Sequence, residues 1–339
     1  MILEILRPVG RLVVMTLAGF FIFKIRPIQR HLLKPAVFLI INVVFPLYFV
    51  HTLPSQWAAG IEAGWHWMLI FLLAYLVMLG AQIGMAKLLI NRVGLFETEY
   101  PRELLVLFAM HNAGYIPIPI VAALAPPAVS VYMSFYLMTY VLLFFSVAVW
   151  ILRGAAADAH ADTEENEIGA RPDANTRPSF RLNAPTVGIL VGLIFAITGV
   201  YDLFPDWAKL PFRWASFIAL DGIMVVLGAV LARVANTGFS YRKEFGGLVL
   251  AKMVIYPLIV IGVLLLIPLR GVRPEIASGI YLALVLEAAV PPATNILVVT
   301  QAYGTADQVK YAGSAVLFTY AAALVVMPVF LILARLIFG

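Results

Sequence analysis

Residues 286–304 read LEAAVPPATNILVVTQAYG. The stretch is apolar enough to lie in a bilayer, yet it holds an acid, Glu287, and two adjacent prolines, Pro291 and Pro292. Proline removes a backbone donor and clashes with the preceding turn, so two half-helices are expected in place of one rod. Lipid offers the freed carbonyls no partner, and such a break is tolerated only against protein or a water-filled cavity. The stretch therefore predicts a polar hole inside a membrane bundle, with Thr294 and Asn295 just beyond the break.

The rest of the chain fits that setting. Of 339 residues, 63% are hydrophobic and 12% charged, and the mean hydropathy is +0.98. A soluble domain cannot hide so much apolar surface. The net charge of +5 is too small for its length to be read as nucleic-acid affinity. There is no cysteine, which excludes disulfides, thiol catalysis and cysteine-ligated metals. No H-E-x-x-H, phosphate-loop or G-x-S-x-G pattern occurs, so no metal, cofactor, nucleotide engine or enzymatic activity is expected. The N-terminal run LVVMTLAGFFIFK lacks a small-residue cleavage site behind it and reads as a retained span.

Apolar runs long enough to cross a bilayer fall at about 8–24, 34–53, 65–90, 101–124, 128–152, 184–204, 212–233, 246–268, 274–302 and 307–336. The expected fold class is an all-α membrane protein with ten transmembrane helices. The polar stretch 154–183 reads as a cytoplasmic linker. With the N-terminus outside, the inner connections carry roughly twice the Lys and Arg of the outer ones, which sets the orientation. Both termini are then extracytoplasmic. Five spans precede the linker (1–153) and five follow it (184–339). Pro8 and Pro185, Pro35 and Pro211, and Pro117 and Pro292 are separated by 175 to 177 positions, as in a duplicated unit. An odd span count per unit makes the second copy inverted, and matched broken helices 4 and 9 in inverted repeats mark secondary transporters.

Span 4 reads RELLVLFAMHNAGYIPIPIVAALAP, with His111, Asn112 and Gly114 before Pro117 and Pro119. Proline suits the first position of a following half-helix. The positive ends and free N–H groups of the two second half-helices would meet near midplane as an anion site. Glu287 lies deep in its span and reads either as a coupling-ion site or as a protonated acid bonded to a freed carbonyl. His111 reads either as a proton-responsive charge or as a neutral, hydrogen-bonded ring. Asn112 and Asn295 suit a carboxylate or a cation equally. Asp221, in span 7, is a further ion-coupling candidate. Lys252 either pairs with it or snorkels to the inner interface. Asn42 and Pro46, at the equivalent place in span 2, make spans 2 and 7 secondary candidates for a site wall.

HNAGYIPIPIVAAL and EAAVPPATNILVVTQAYG resemble the two half signatures of the auxin efflux carrier family, an Asn-x-Gly-aromatic run into prolines and a small-Pro-x-Ala run ending in Tyr-Gly. The resemblance covers nearly the whole chain. It implies a fold shared distantly with bile-acid/sodium symporters, a scaffold of helices 1, 2, 6 and 7, and a transport domain of helices 3–5 and 8–10. It implies a substrate that is a small organic anion, held by Asn112, Gly114, Tyr115, Pro117, Pro291, Pro292 and Asn295, with Thr294 beside them. The short linker and His111 directly before Asn112 depart from plant members, and auxin is not the expected substrate.

The reading is a gradient-driven carrier of mono- or dicarboxylates working by alternating access in the cell (inner) membrane. Its partners are the anion, a coupling H⁺ or Na⁺, and the lipid bilayer, with a homodimer among the allowed assemblies. A sodium-coupled symporter of the bile-acid type, and a membrane sensor that binds without transporting, are the alternatives.

Overall fold

The computed structural model describes residues 2–94, 96, 98–159, 184–235 and 241–339. Their regular structure is helical. In chain order the helices are α1 Ile2–Lys24, α2 Arg26–Leu39, α3 Phe45–Gly64, α4 His66–Leu88, α5 Pro101–Ala109, α6 Pro117–Leu124, α7 Pro127–Ala159, α8 Ala184–Thr198, α9 Asp206–Val234, α10 Arg242–Leu248, α11 Tyr256–Leu265, α12 Pro274–Ala289, α13 Asn295–Tyr303 and α14 Ala306–Phe338.

Local chemistry explains where several of these begin and end. Wider π-helical turns at Ile40–Val44 and Val249–Ile255 join α2 to α3 and α10 to α11. Each is followed by a proline, Pro46 or Pro257, whose ring crowds the turn behind it and supplies no donor. Thr305 opens α14 with a capping box: its side chain accepts from the Gln308 N–H, and the Gln308 side chain accepts from the Thr305 N–H. Two of the four otherwise unused donors are satisfied this way.

Among the described residues six helices are long and apolar enough to cross a membrane, including 26–64, 66–93 and 306–338. The ten-span count is therefore not met by unbroken rods. The breaks leave α5, α6 and α13 at nine residues or fewer, and α8 has only 15. Helix α7 runs through 154–159, the first part of the expected linker; residues 160–183 lie outside the described residues. Outward faces carry large apolar side chains such as Phe21, Val77, Phe217 and Val325. A protein in water would bury such a belt, and one in lipid exposes it.

Inside the bundle α1 packs on α9, α3 on α8 and α4 on α7. Small residues set the first two contacts. A Cβ on Gly228 would stand 1.9 Å from the Thr16 carbonyl oxygen, and one on Gly19 would stand 2.1 Å from that of Val225. Gly188 meets the Pro46 backbone with similar closeness. In lipid the hydrophobic effect does not drive helices together, so close backbone approach and dispersion must do so. We predict that Gly228→Val destabilises the protein by at least about 1–3 kcal/mol through overpacking. The check is its thermal midpoint in detergent against wild type; an unchanged midpoint contradicts the tight α1–α9 contact.

Candidate functional site

Helix α5 ends at Ala109 and α6 begins at Pro117. Helix α12 ends at Ala289 and α13 begins at Asn295. The two gaps meet. Asn112 N–H donates to the Pro291 carbonyl at 2.9 Å, and Ala293 N–H donates to the Met110 carbonyl at 2.8 Å. His111 and Pro292 thus face each other as one antiparallel pair. The bonds come from the flanking residues, so this pair is of the non-hydrogen-bonded kind and asks no donor of Pro292. A proline fits there without leaving a hole in the ladder.

Successive side chains of an extended segment point to opposite faces. Here Asn112 points to a cavity of about 200 Å³. His111 points to a separate buried cluster.

Asn112, Gly114, Tyr115, Ala293, Thr294 and Asn295 line the cavity, and Asn42 and Tyr140 close it. The structure thereby brings together five of the residues expected to hold substrate. Pro117, Pro291 and Pro292 are buried and shape the chain around it without lining it. The Asn112 amide is fixed at both ends: Nδ2 donates to Tyr320 OH at 2.5 Å, and Oδ1 accepts from Tyr115 N–H at 2.9 Å. Gly114 lies against Leu137, whose Cδ1 would sit 3.0 Å from an added Cβ. Two further cavities, about 170 and 470 Å³, are lined almost wholly by apolar side chains. They lack the convergent polar groups that orient a small ligand.

The half-helix ends differ from expectation. Pro117 does occupy the first position of α6, but Pro117 and Pro119 have no N–H, and Ile118 N–H bonds the Gly114 carbonyl at 3.3 Å. The first turn of α6 therefore offers no free donor to an anion. At α13 the prolines lie in the extended bridge rather than in the helix. Its Ile296 and Leu297 N–H groups turn back to the Ala293 and Thr294 carbonyls. The donors that reach the cavity are side-chain amides and hydroxyls.

Behind the bridge, His111 and Glu287 are fully buried and 3.2 Å apart, Nε2 to Oε2. His111 Nδ1 is 3.2 Å from Gln82 Oε1 and its Nε2 is 2.8 Å from Tyr136 OH. The two Glu287 oxygens make no well-aligned hydrogen bond, although the His111 contact is within ion-pair distance. The His111 ring nitrogens are engaged by Gln82 and Tyr136. An Nδ1–H donated to Gln82 leaves Nε2 an acceptor, beside both the Tyr136 hydroxyl and the Glu287 carboxyl group.

The expected pair of Asp221 with Lys252 is corrected: Asp221 pairs with Arg11, across the α1–α9 contact, and stands apart from both the cavity and the cluster. Lys252 does not pair with Asp221 or snorkel; it is wholly buried and donates to the Phe108 carbonyl. Of the two suggested walls, span 2 lines the cavity through Ile41, Asn42 and Phe45, whereas α9 does not. Gln82, Tyr136, Tyr140 and Tyr320 were not singled out in the sequence, because nothing local marks a tyrosine or glutamine in an apolar helix as inward-facing.

Replacing Glu287 by Gln removes an ionisable group that has no aligned partner. We predict no loss of stability, since an uncompensated buried carboxyl group is a cost. The thermal midpoint of Glu287→Gln in detergent checks it, and a large fall would show that the acid holds the cluster together.

A family model described as Membrane transport protein matches residues 4–331. No curated protein matches the chain.

Proposed function

Because the chain belongs to the membrane transport protein family, that of the auxin efflux carriers, we propose that it carries a small mono- or dicarboxylate across the membrane by alternating access. One observation carries the substrate class. The cavity at the crossing is small, about 200 Å³, and presents the neutral donors Asn112, Thr294, Asn295, Asn42 and Tyr140 with no acid among its lining. Amides and hydroxyls can serve an anion or a cation; a lining without an acid and the partial positive charge at the nearby start of α13 favour the carboxylate.

The reading includes ten spans in two inverted repeats, 1–153 and 184–339. The helix pairing supports it. Exchange of the halves turns the α1–α9 contact into the α8–α3 contact, and both are present. Spans 1, 2, 6 and 7 form the scaffold, and spans 3–5 and 8–10 carry the site. The breaks join span 4 to span 9 within the moving part, so the cavity travels with it while Asn42 belongs to the fixed wall. The membrane is the cell (inner) membrane, with both termini outside and the linker inside.

The buried His111–Glu287 pair is the proton-coupling element of this reading. His111 and Asn112 are adjacent on one extended segment, so charge on the ring and occupancy of the cavity act on the same backbone.

Uptake of labelled mono- and dicarboxylates into proteoliposomes, with and without a proton gradient, tests the assignment. No uptake of any such acid would sink it. Glu287→Gln should bind substrate but lose gradient-driven accumulation. Pro292→Ala gains an N–H that can bond a carbonyl of α12 and extend that helix into the bridge. We expect at least a tenfold fall in initial uptake rate, equivalent to about 1.4 kcal/mol, with expression unchanged.

A further inference from the structure

Each broken helix leaves carbonyls without their helical donors, and the two ends treat them differently. In a continuous helix the Phe108 carbonyl would accept from the Asn112 N–H, four residues on. That N–H is committed to Pro291 across the bridge. The C-terminal end of α5, which carries partial negative charge, is thus left pointing into the protein. The Lys252 ammonium donates to this same Phe108 oxygen. Lys252 is 0% exposed and projects from the π-helical turn Val249–Ile255. Its Nζ also lies 5.6 Å from the centre of the Phe108 ring, within range of a cation–π contact. Among the described residues no carboxylate lies within ion-pair distance of it.

A freed carbonyl at the C-terminal end of a half-helix is the kind of ligand that binds a dissociable alkali cation in broken-helix carriers. Here the position holds a covalently attached ammonium. The α12 end instead presents Glu287, whose neighbour His111 can give or take a proton.

We propose that the Lys252 ammonium is a tethered cation that fills the cation position at the end of α5, so that no dissociable Na⁺ or K⁺ is held there. The proposal builds on the carrier reading above and leaves sodium no place at this end of the crossing. Lys252 is a positioning residue: it acts on the bridge through the Phe108 carbonyl.

The test uses the purified full chain in detergent and needs no substrate, so it stays informative even if carboxylate uptake fails. Thermal midpoints are compared in NaCl, KCl, choline chloride and n-propylammonium chloride at equal ionic strength. Wild type should give one midpoint in all four. Lys252→Ala deletes three methylenes and the amine, the shape of n-propylammonium. Its midpoint should fall in choline and recover by about 3 °C or more in n-propylammonium, a shift of about 2 kcal/mol for a chain this long. Lys252→Met, which fills the space with apolar atoms, should show no recovery. Should Lys252→Ala be recoverable only when solubilised in n-propylammonium, that also supports the proposal. A wild-type midpoint that rises in Na⁺ over choline overturns it. So does a Lys252→Ala midpoint equal to wild type in choline, or one that is lowered and indifferent to the amine. A variant that cannot be recovered with or without the amine counts against it too.

Discussion

Two backbone hydrogen bonds, Asn112 to Pro291 and Ala293 to Met110, make the rest of the molecule possible. A chain in hydrocarbon cannot leave N–H and C=O groups idle. Interrupting one helix would be prohibitive, and interrupting two side by side lets each satisfy part of the other. The broken segments are stable only as a pair. That pairing fixes the cavity, the facing of His111 and Asn112, and the direction in which the freed Phe108 carbonyl points.

The bridge also sorts chemistry by side. Neutral amides and hydroxyls line the cavity, whereas His111, Glu287, Gln82 and Tyr136 are gathered behind it. The alternation of an extended strand performs this sorting with two neighbouring residues. The two sets of groups are thereby a single peptide apart at His111 and Asn112, the shortest physical link they can have.

The existence and position of the breaks were legible in the sequence because Pro117, Pro291 and Pro292 act locally and stand beside polar residues, unlike Pro35, Pro54, Pro211 and Pro328, which lie inside helices. The clustering of Asn112, Gly114, Tyr115, Thr294 and Asn295 came from the same local effect. Anything set by register between distant segments could not be read. Pairing His111 with Pro292 requires knowing which peptide faces which across the chain, and this decided that the second pair of prolines lies in the bridge and not in α13. The donor state of α6 was readable in principle, since Pro119 so soon after Pro117 removes a second N–H from the first turn. Lys252 was misplaced because a π-helical turn rotates the side chains it carries out of phase with the α-helix, and hydropathy spacing assumes a uniform period. The partner of Asp221 could not be read because Arg11 lies on a helix 210 positions earlier.

Because the bridge is made by main-chain atoms, it is indifferent to most exchanges of the side chains around it. Residues lining the cavity can be replaced one after another while the fold's costliest feature stays intact. Divergent cargo preference is therefore cheap for this architecture to acquire, and closely similar backbones in distant descendants would say little about what each of them moves.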